Sequence, residues 1–573
     1  MGEQMDVVAS ARAWIAGDPD AQTRAELEAL IAADDHAELA ERMAGSLEFG
    51  TAGLRGAVAA GSNRMNRAVV IRTTRGLADY LLGRFPDSEQ PVVVGGDARP
   101  STPRFVRDTV AVLAAAGIPV RFFADPTPTP LIAYAARRLE ALAAVAVTAS
   151  HNPPADNGYK VYDANAAQIV PPVDADIASA IAAAGPAKTV PRLRSAMDDG
   201  EIAIPVPSDL FDRYLAEVEA VRAVPPGSAP RPSIVHTPIH GVGGRFVVQA
   251  LAGAGYHEVV AVADQFEPDG RFPTVAFPNP EEPGALDHAL ALAGEVGADV
   301  ILANDPDTDR LAVALRFGGV WRPLTGNQVG VLLADYVLEH TAVEAPIVIN
   351  SIVSSPMLAD IAAAHRAGFA QALTGFKWIW NAALDLQAAG AGRFVFGYEE
   401  ALGYCVGPVV RDKDGIGAAV AFADLMTWAA ADGVTVWDRL AGLYRRHGLW
   451  VSVPHNLVRP GTEGGAEIAA AMERLAAAPP ERLGDHEVVG VTDYRRGADE
   501  RPRYLPATSL VALDLGAAGR VLVRPSGTEP KLKIYVDLRA EVAPGDDVWQ
   551  REAQQRAAAS AIGDETAATL GLV

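Results

Sequence analysis

Three aspartates occupy every second position in LANDPDTDRLAVAL: Asp305, Asp307 and Asp309. In a nearly extended segment side chains at that spacing share a face, so three carboxylates converge on a volume that one ion can fill. Like charges that close call for a cation. Oxygen-only ligation points to a hard metal, and Mg²⁺ leaves room for water or a phosphate oxygen. An EF-hand loop would need Gly at its sixth position and Glu at its twelfth, where Arg310 and Arg316 stand.

A second stretch, VAVTASHNPPADNGYKVY, presents Ser150, His151 and Asn152 where an apolar run stops. Residues 141–147 read as the end of a buried strand, and Pro153 and Pro154 forbid its continuation, since each lacks a backbone donor and fixes φ. Ser150 is therefore expected on a loop just past a strand end, where doubly wound sheets place ligand chemistry. A plain exposed turn has the same composition.

Further on, VLVRPSGTEPKLKIY sets Arg524, Ser526, Gly527 and Thr528 in a turn between two strands, with Lys531 and Lys533 just beyond. Arg offers a planar fork of donors, the hydroxyls add two more, and glycine lets backbone amides approach an oxyanion. That is a phosphate seat by chemistry; an ordinary Ser-Gly hairpin turn would look the same. In FVFGYEEALGYCVG, Glu399 and Glu400 close another apolar strand. Neighbours in an extended chain point opposite ways, so at most one faces a ligand, and a carboxylate accepts well from sugar hydroxyls. Arg55 among the glycines of FGTAGLRG and Lys377 in GFKWI are either further phosphate contacts or surface residues with apolar stems.

These residues need elements to hold them. A weak internal repeat of strand, small-residue loop, amphipathic helix, glycine and second strand begins at Pro91, Pro232 and Pro346. It predicts three similar mixed α/β domains. Each opens on a β-branched run suited to a parallel sheet covered on both faces. The last part alternates apolar and polar residues around short turns, which predicts a C-terminal α+β domain. The expected divisions are 1–205, with an N-terminal helical extension of about 40 residues and the serine loop; 206–324, with the aspartates; 325–450, with the glutamates; and 451–573, with the phosphate turn.

At 573 residues the chain exceeds what one hydrophobic core supports. A formal net charge of -22, from 49 basic and 71 acidic residues, argues against nucleic acid and anionic membranes, whose binding rests on neutralising phosphates. The N-terminus has neither a basic start nor an apolar stretch, and Cys405 is the lone cysteine, so a cytoplasmic protein is expected.

Taken together, TASHNPP, DPDTDR, GYEEALGY and RPSGTEPKLKIY resemble, in order, the phosphoserine, magnesium, sugar and phosphate loops of the α-D-phosphohexomutase superfamily, over nearly the whole chain after residue 45. The resemblance implies four domains around a central cleft, each contributing one loop. It also implies that Ser150 carries the transferable phosphate and that Asp305, Asp307 and Asp309 bind Mg²⁺ together with it. Lys160 matches a position implicated in acid-base chemistry, Arg55 and His151 join the catalytic set, and Arg310, Lys377, Glu399, Glu400 and the Arg524–Lys531 turn become substrate contacts. The implied reaction interconverts hexose 1- and 6-phosphates, glucose or mannose, through a bisphosphorylated sugar, with a sugar bisphosphate as activator and a monomer or homodimer as the assembly.

One position departs from the pattern: the hexose enzymes usually show Glu-x-Ser in the sugar loop, and here Ala401 follows Glu399 and Glu400. The spellings LEFGTAGLRG, TGFKWI and GYEEALGY are similar to the longer branch that contains phosphopentomutases and glucose 1,6-bisphosphate synthases, which makes a pentose the alternative substrate. An aspartyl-phosphate phosphatase would need Thr or Val where Asp309 stands, and a serine-hydrolase elbow would need glycines at Thr148 and Asn152. A phosphosugar sensor without turnover is the non-enzyme alternative.

Overall fold

The computed structural model describes residues 2–50, 53–222, 229–459, 461–526 and 531–572. The chain divides into two compact units, one made of residues 1–222, 232–323 and 408–420, the other of residues 223–231, 324–407 and 421–573.

Within the first unit, the strand Val92–Gly96 lies between Val120–Phe122 and Ala143–Val147, parallel to both. All residues of Val92–Gly96 and Ala143–Val147 are buried, which is why both read as unbroken apolar or small runs. The helices Thr102–Ala115 and Thr129–Arg138 pack on these strands, each with a proline in its first turn, where no backbone donor is missed. Beyond Ala143–Val147 the chain turns back as Asp156–Tyr162, antiparallel, and this strand pairs in turn with Leu54–Ala57. A second sheet of the same unit places Ile234–Thr237 between Val259–Ala261 and Val300–Ala303, again parallel to both, with Ala312–Phe317 antiparallel beyond.

Within the second unit, Pro346–Ser351 lies between Gly368–Ala372 and Arg393–Glu399, parallel to both, with Gly403–Val406 antiparallel beyond. The three sheets thus share one strand order, and the internal repeat of the sequence is the unit they share. The C-terminal sheet is antiparallel throughout: Leu449–Val458, Lys531–Ala540, Gly519–Pro525, Val511–Asp514 and Gly490–Asp493, in that spatial order. The helices Gly461–Ala477 and Val548–Thr569 accompany it, and its core gathers Val521, Val523, Leu532, Ile534 and Val536. The expected three α/β domains and C-terminal α+β domain are what the chain forms.

The first residues are helical as expected, in Gly2–Gly17, Ala21–Ala32 and His36–Arg42, and bury Ala11, Leu27 and Leu39 together with Ala60. Among the described residues no single helix is long and apolar enough to cross a membrane.

Candidate active site

The strand Ala143–Val147 ends at Thr148, whose hydroxyl accepts the backbone N–H of Ser150 at 2.8 Å. That contact turns the chain sharply, and Ser150 adopts a left-handed φ of 52°. For a residue with a Cβ such a conformation costs about 1–2 kcal/mol, so the surrounding contacts must hold it. The serine hydroxyl is buried and donates to Asp305 Oδ2 at 2.8 Å. His151 Nδ1 lies 3.1 Å from Ser150 Oγ. A hydroxyl has one proton; given to Asp305, it leaves the imidazole to donate through Nδ1–H. Burial, reinforced by Arg310 and Arg55, pushes the His151 pKa well below its ordinary value, so the ring is neutral.

Asp305, Asp307 and Asp309 do come together, but not through an extended chain. Thr308 N–H donates to Asp305 O at 2.9 Å and Thr308 has φ 63°, so the segment is a turn that gathers the carboxylates from one side. The spacing of two was the right signal with the wrong backbone, because Pro306 and the close approach of the 238–243 loop bend the segment: Val242 N–H donates to Pro306 O at 2.9 Å. Gly243 lies so close to Thr308 that any Cβ there would collide with it.

One oxygen from each of the three aspartates lies within 4.8 Å of the others, and all three residues are buried. Asp307 Oδ1 and Asp309 Oδ1 have no hydrogen-bond donor among the described residues. Buried carboxylate oxygens without donors are costly, and a hard divalent cation is the group this donor set fits. The remaining charge is partly met by lysines. Lys160 Nζ, on Asp156–Tyr162, lies 2.7 Å from Asp307 Oδ2 and 3.0 Å from Asp309 Oδ2. Burial alone would lower the Lys160 pKa, but the two carboxylates outweigh it and raise it. Burial and the two neighbouring aspartates push Asp305 well above the carboxylate range; for Asp307, burial is overcome by Lys160 and the pKa falls. Thr129, which opens the helix Thr129–Arg138, donates its hydroxyl to Asp307 Oδ2 at 2.9 Å. Arg310 stands 3.7 Å from Asp309, and Arg55 NH1 reaches Asn152 Oδ1 at 3.4 Å.

Several participants gave no clear sequence signal. Lys413, in RDKDG, lies 3.0 Å from Asp309 Oδ2, and its neighbour Asp412 accepts from Tyr162 OH at 2.6 Å and Gln168 Nε2 at 2.7 Å. Asn304, just before the triad, donates to Arg310 O at 2.6 Å, and its Oδ1 is 3.0 Å from His236 Nε2. Arg99 is buried beneath the serine loop. The charge cluster between Gly407 and the apolar helix that follows was the available hint for Lys413; Arg99 and Asn304 sit in runs of ordinary composition.

The other expected site residues belong to the second unit. Glu399 ends its strand, and its Oε1 accepts Gly375 N–H at 2.6 Å, at the start of the helix Phe376–Ala388 that carries Lys377. Glu400 Oε2 accepts from Ser351 at 3.1 Å and Ser354 at 3.2 Å, two buried hydroxyls in NSIVSS. Adjacent glutamates therefore face different partners, as an extended chain requires. Arg524 pairs in register with Lys533 at the end of Gly519–Pro525, and Ser526 N–H donates to Lys531 O at 2.7 Å. Gly527 and Thr528 lie outside the described residues.

A strand order used three times, closed by an antiparallel C-terminal unit, together with a serine facing an aspartate triad, defines the class: a phosphosugar mutase, an enzyme of the isomerase type. The chain belongs to the phosphoglucomutase/phosphomannomutase family. Its α/β/α domain I matches residues 46–188, domain II residues 212–318, domain III residues 325–447, and the C-terminal domain residues 467–554. The chain is 39% identical to a "Probable phosphomannomutase" of Haemophilus influenzae, over 83% of this chain and 93% of that one. It is 33% identical to the phosphopentomutase of Homo sapiens, over 95% and 94%. Its fold matches the open form of parafusin, a phosphoglucomutase from Paramecium, with a TM-score of 0.68 over 91% of this chain and 95% of that one, at 18% identity.

Proposed function

We propose that the protein interconverts hexose 1-phosphates and hexose 6-phosphates, of glucose or mannose, by passing a phosphoryl group between Ser150 and the sugar. The observation that carries this reading is the 2.8 Å contact of Ser150 Oγ with Asp305 in a buried cluster of three aspartates and Lys160. A phosphoryl group in transfer spreads negative charge over its oxygens, and catalysis consists mostly of positioning and charge stabilisation.

In the first half-reaction the Oγ–P bond of phosphoserine 150 breaks as a bond forms from phosphorus to a sugar oxygen. Lys160, protonated because two carboxylates hold it, gives its proton to the departing Oγ and regains one from the attacking hydroxyl. The second half-reaction runs in reverse, with the other phosphate of the bisphosphorylated sugar returning to Ser150. Arg310 and Arg55 add positive charge, and the neutral His151 ring orients Oγ. Asp305, Asp307 and Asp309 would hold Mg²⁺, which supplies charge neutralisation when bound. Arg524, Ser526, Gly527, Thr528 and Lys531 are assigned the phosphate that is not reacting, Glu399 or Glu400 the sugar hydroxyls, and Lys377 a phosphate or hydroxyl contact. A free sugar bisphosphate would prime Ser150, and small cytoplasmic metabolites are the expected partners.

A pentose reading is favoured by two observations. Ala401 stands where hexose enzymes usually carry a serine, and the similarity to the human phosphopentomutase spans 95% of the chain. The test compares kcat/KM for glucose 1-phosphate, mannose 1-phosphate and ribose 1-phosphate, each with its bisphosphate and Mg²⁺. The hexose reading expects a hexose to lead; a clear lead for ribose 1-phosphate overturns it in favour of the pentose.

A further inference from the structure

Arg99 has a fully buried guanidinium, with its side chain 0% exposed. Its five N–H groups all have acceptors. Nε donates to Asp97 Oδ2 at 3.2 Å, NH1 to Pro153 O at 2.6 Å and Asp156 O at 2.9 Å, and NH2 to Ser150 O at 2.8 Å and Asn152 O at 2.6 Å. Four of the five acceptors are backbone carbonyls of the loop that presents Ser150. The carboxylate of Asp97 is itself fixed by Arg99 N–H at 3.0 Å and the Thr102 hydroxyl at 2.7 Å. Phe272 covers the guanidinium at 5.2 Å, and Gly270 packs so tightly on the Arg99 backbone that a Cβ there would collide with it.

A buried charge is normally retained only where it is paired and fully hydrogen-bonded, and here the bonding is spent on one loop. That loop needs it. Ser150 sits at a left-handed φ of 52°, and two prolines in the segment leave their positions without backbone N–H donors to tie it down. Only a planar fork of donors can reach four carbonyls at once; a lysine has three donors on one point.

We infer that Arg99 is a positioning residue for phosphoryl transfer: its guanidinium clamps the carbonyls of Ser150, Asn152, Pro153 and Asp156 and so holds Ser150 in the conformation that aims Oγ at the aspartate triad. Arg99 touches no reacting atom. The inference rests on Ser150 being the residue that carries the phosphate.

The experiment compares Arg99→Lys, Gly270→Ala and, as a stability control, Val110→Ala, a core substitution in the helix Thr102–Ala115. Each variant and the wild type is incubated with radiolabelled glucose 1,6-bisphosphate and Mg²⁺, and the rate of label transfer, its position, kcat, KM and the melting temperature are recorded. Displacing a reacting group by about an ångström costs on the order of 100-fold in rate. Arg99→Lys is therefore expected to lose about 100-fold in kcat and in the rate of Ser150 labelling, with KM changed less than about threefold. Val110→Ala is expected to melt earlier yet keep the wild-type kcat. Gly270→Ala, which presses on Arg99 without removing it, is expected to fall between them, and it carries the test if Arg99→Lys does not fold. Labelling of Ser150 in Arg99→Lys at the wild-type rate overturns the assignment to Arg99 alone, as does an equal loss of kcat in Val110→Ala at the same melting temperature. Label found elsewhere than Ser150 in the wild type removes the parent reading, and this one with it.

Discussion

Ser150, Asp305, Asp307, Asp309 and Lys160 meet although the chain separates Ser150 from Asp305 by 155 positions. The serine and the aspartates were recognisable in the sequence because residue type and local spacing express their chemistry: a serine where an apolar strand stops, aspartates at alternate positions; Lys160 was singled out only through the family resemblance. Groups that act by holding others were not, since their partners lie far along the chain. His236 is an example. Its ring is 0% exposed and reaches Asn304, which in turn donates to the carbonyl of Arg310. Burial pulls its pKa down to about 4. The unfolded chain takes up that proton near pH 6.5 and the folded one only near 4, so between these values the unfolded state binds more protons and stability falls as the pH falls. A shift of this size corresponds to about 3 kcal/mol. Denaturant titrations of the wild type and His236→Gln from pH 4 to 7 should show a steeper acid loss in the wild type; equal slopes would contradict this. The orphaned oxygens of Asp307 and Asp309 lead to a second expectation. Mg²⁺ at about 100 times its Kd should stabilise the wild type by about 2.7 kcal/mol, read as a rise in melting temperature. Asp305→Ala combined with Asp309→Ala should abolish the rise; an unchanged rise would place the ion elsewhere.

At the level of elements, periodicity and chain punctuation carried the reading well. The buried runs at 92–96, 143–147 and 300–303 are strands, and the repeat starting at Pro91, Pro232 and Pro346 marks three sheets of one order. The turn at 305–309 escaped, because period-2 spacing reads as extended chain while a proline and tertiary contacts decide otherwise. Also out of reach was the tie between two elements of the second unit. Arg520, on Gly519–Pro525, donates to Asp537 Oδ2 at 2.8 Å and to Ser354 O at 2.9 Å, in the loop whose hydroxyls hold Glu400. Asp537 is fully buried and also accepts from Ser452 at 2.6 Å. Removing one partner of such a pair strands the other charge, at a cost of about 3–5 kcal/mol. Arg520→Met is therefore expected to destabilise by that amount in urea unfolding, and Asp537→Leu added to it should recover most of the loss. Additive losses in the double variant would show that the two side chains act independently.

For the molecule as a whole, the four domain matches, the sheet order used three times and the residue chemistry agree on a phosphosugar mutase. Composition says nothing of one hydroxyl more or less, which is why the hexose or pentose question passes to kinetics. The central claim is that Ser150 is the residue through which phosphate passes. It is tested most directly by incubating the protein with radiolabelled glucose 1,6-bisphosphate and Mg²⁺, digesting it and locating the label. The account expects label on Ser150, and none in Ser150→Ala, which should keep the wild-type melting temperature while losing turnover. Label on Asp305, or undiminished turnover in Ser150→Ala, would contradict it.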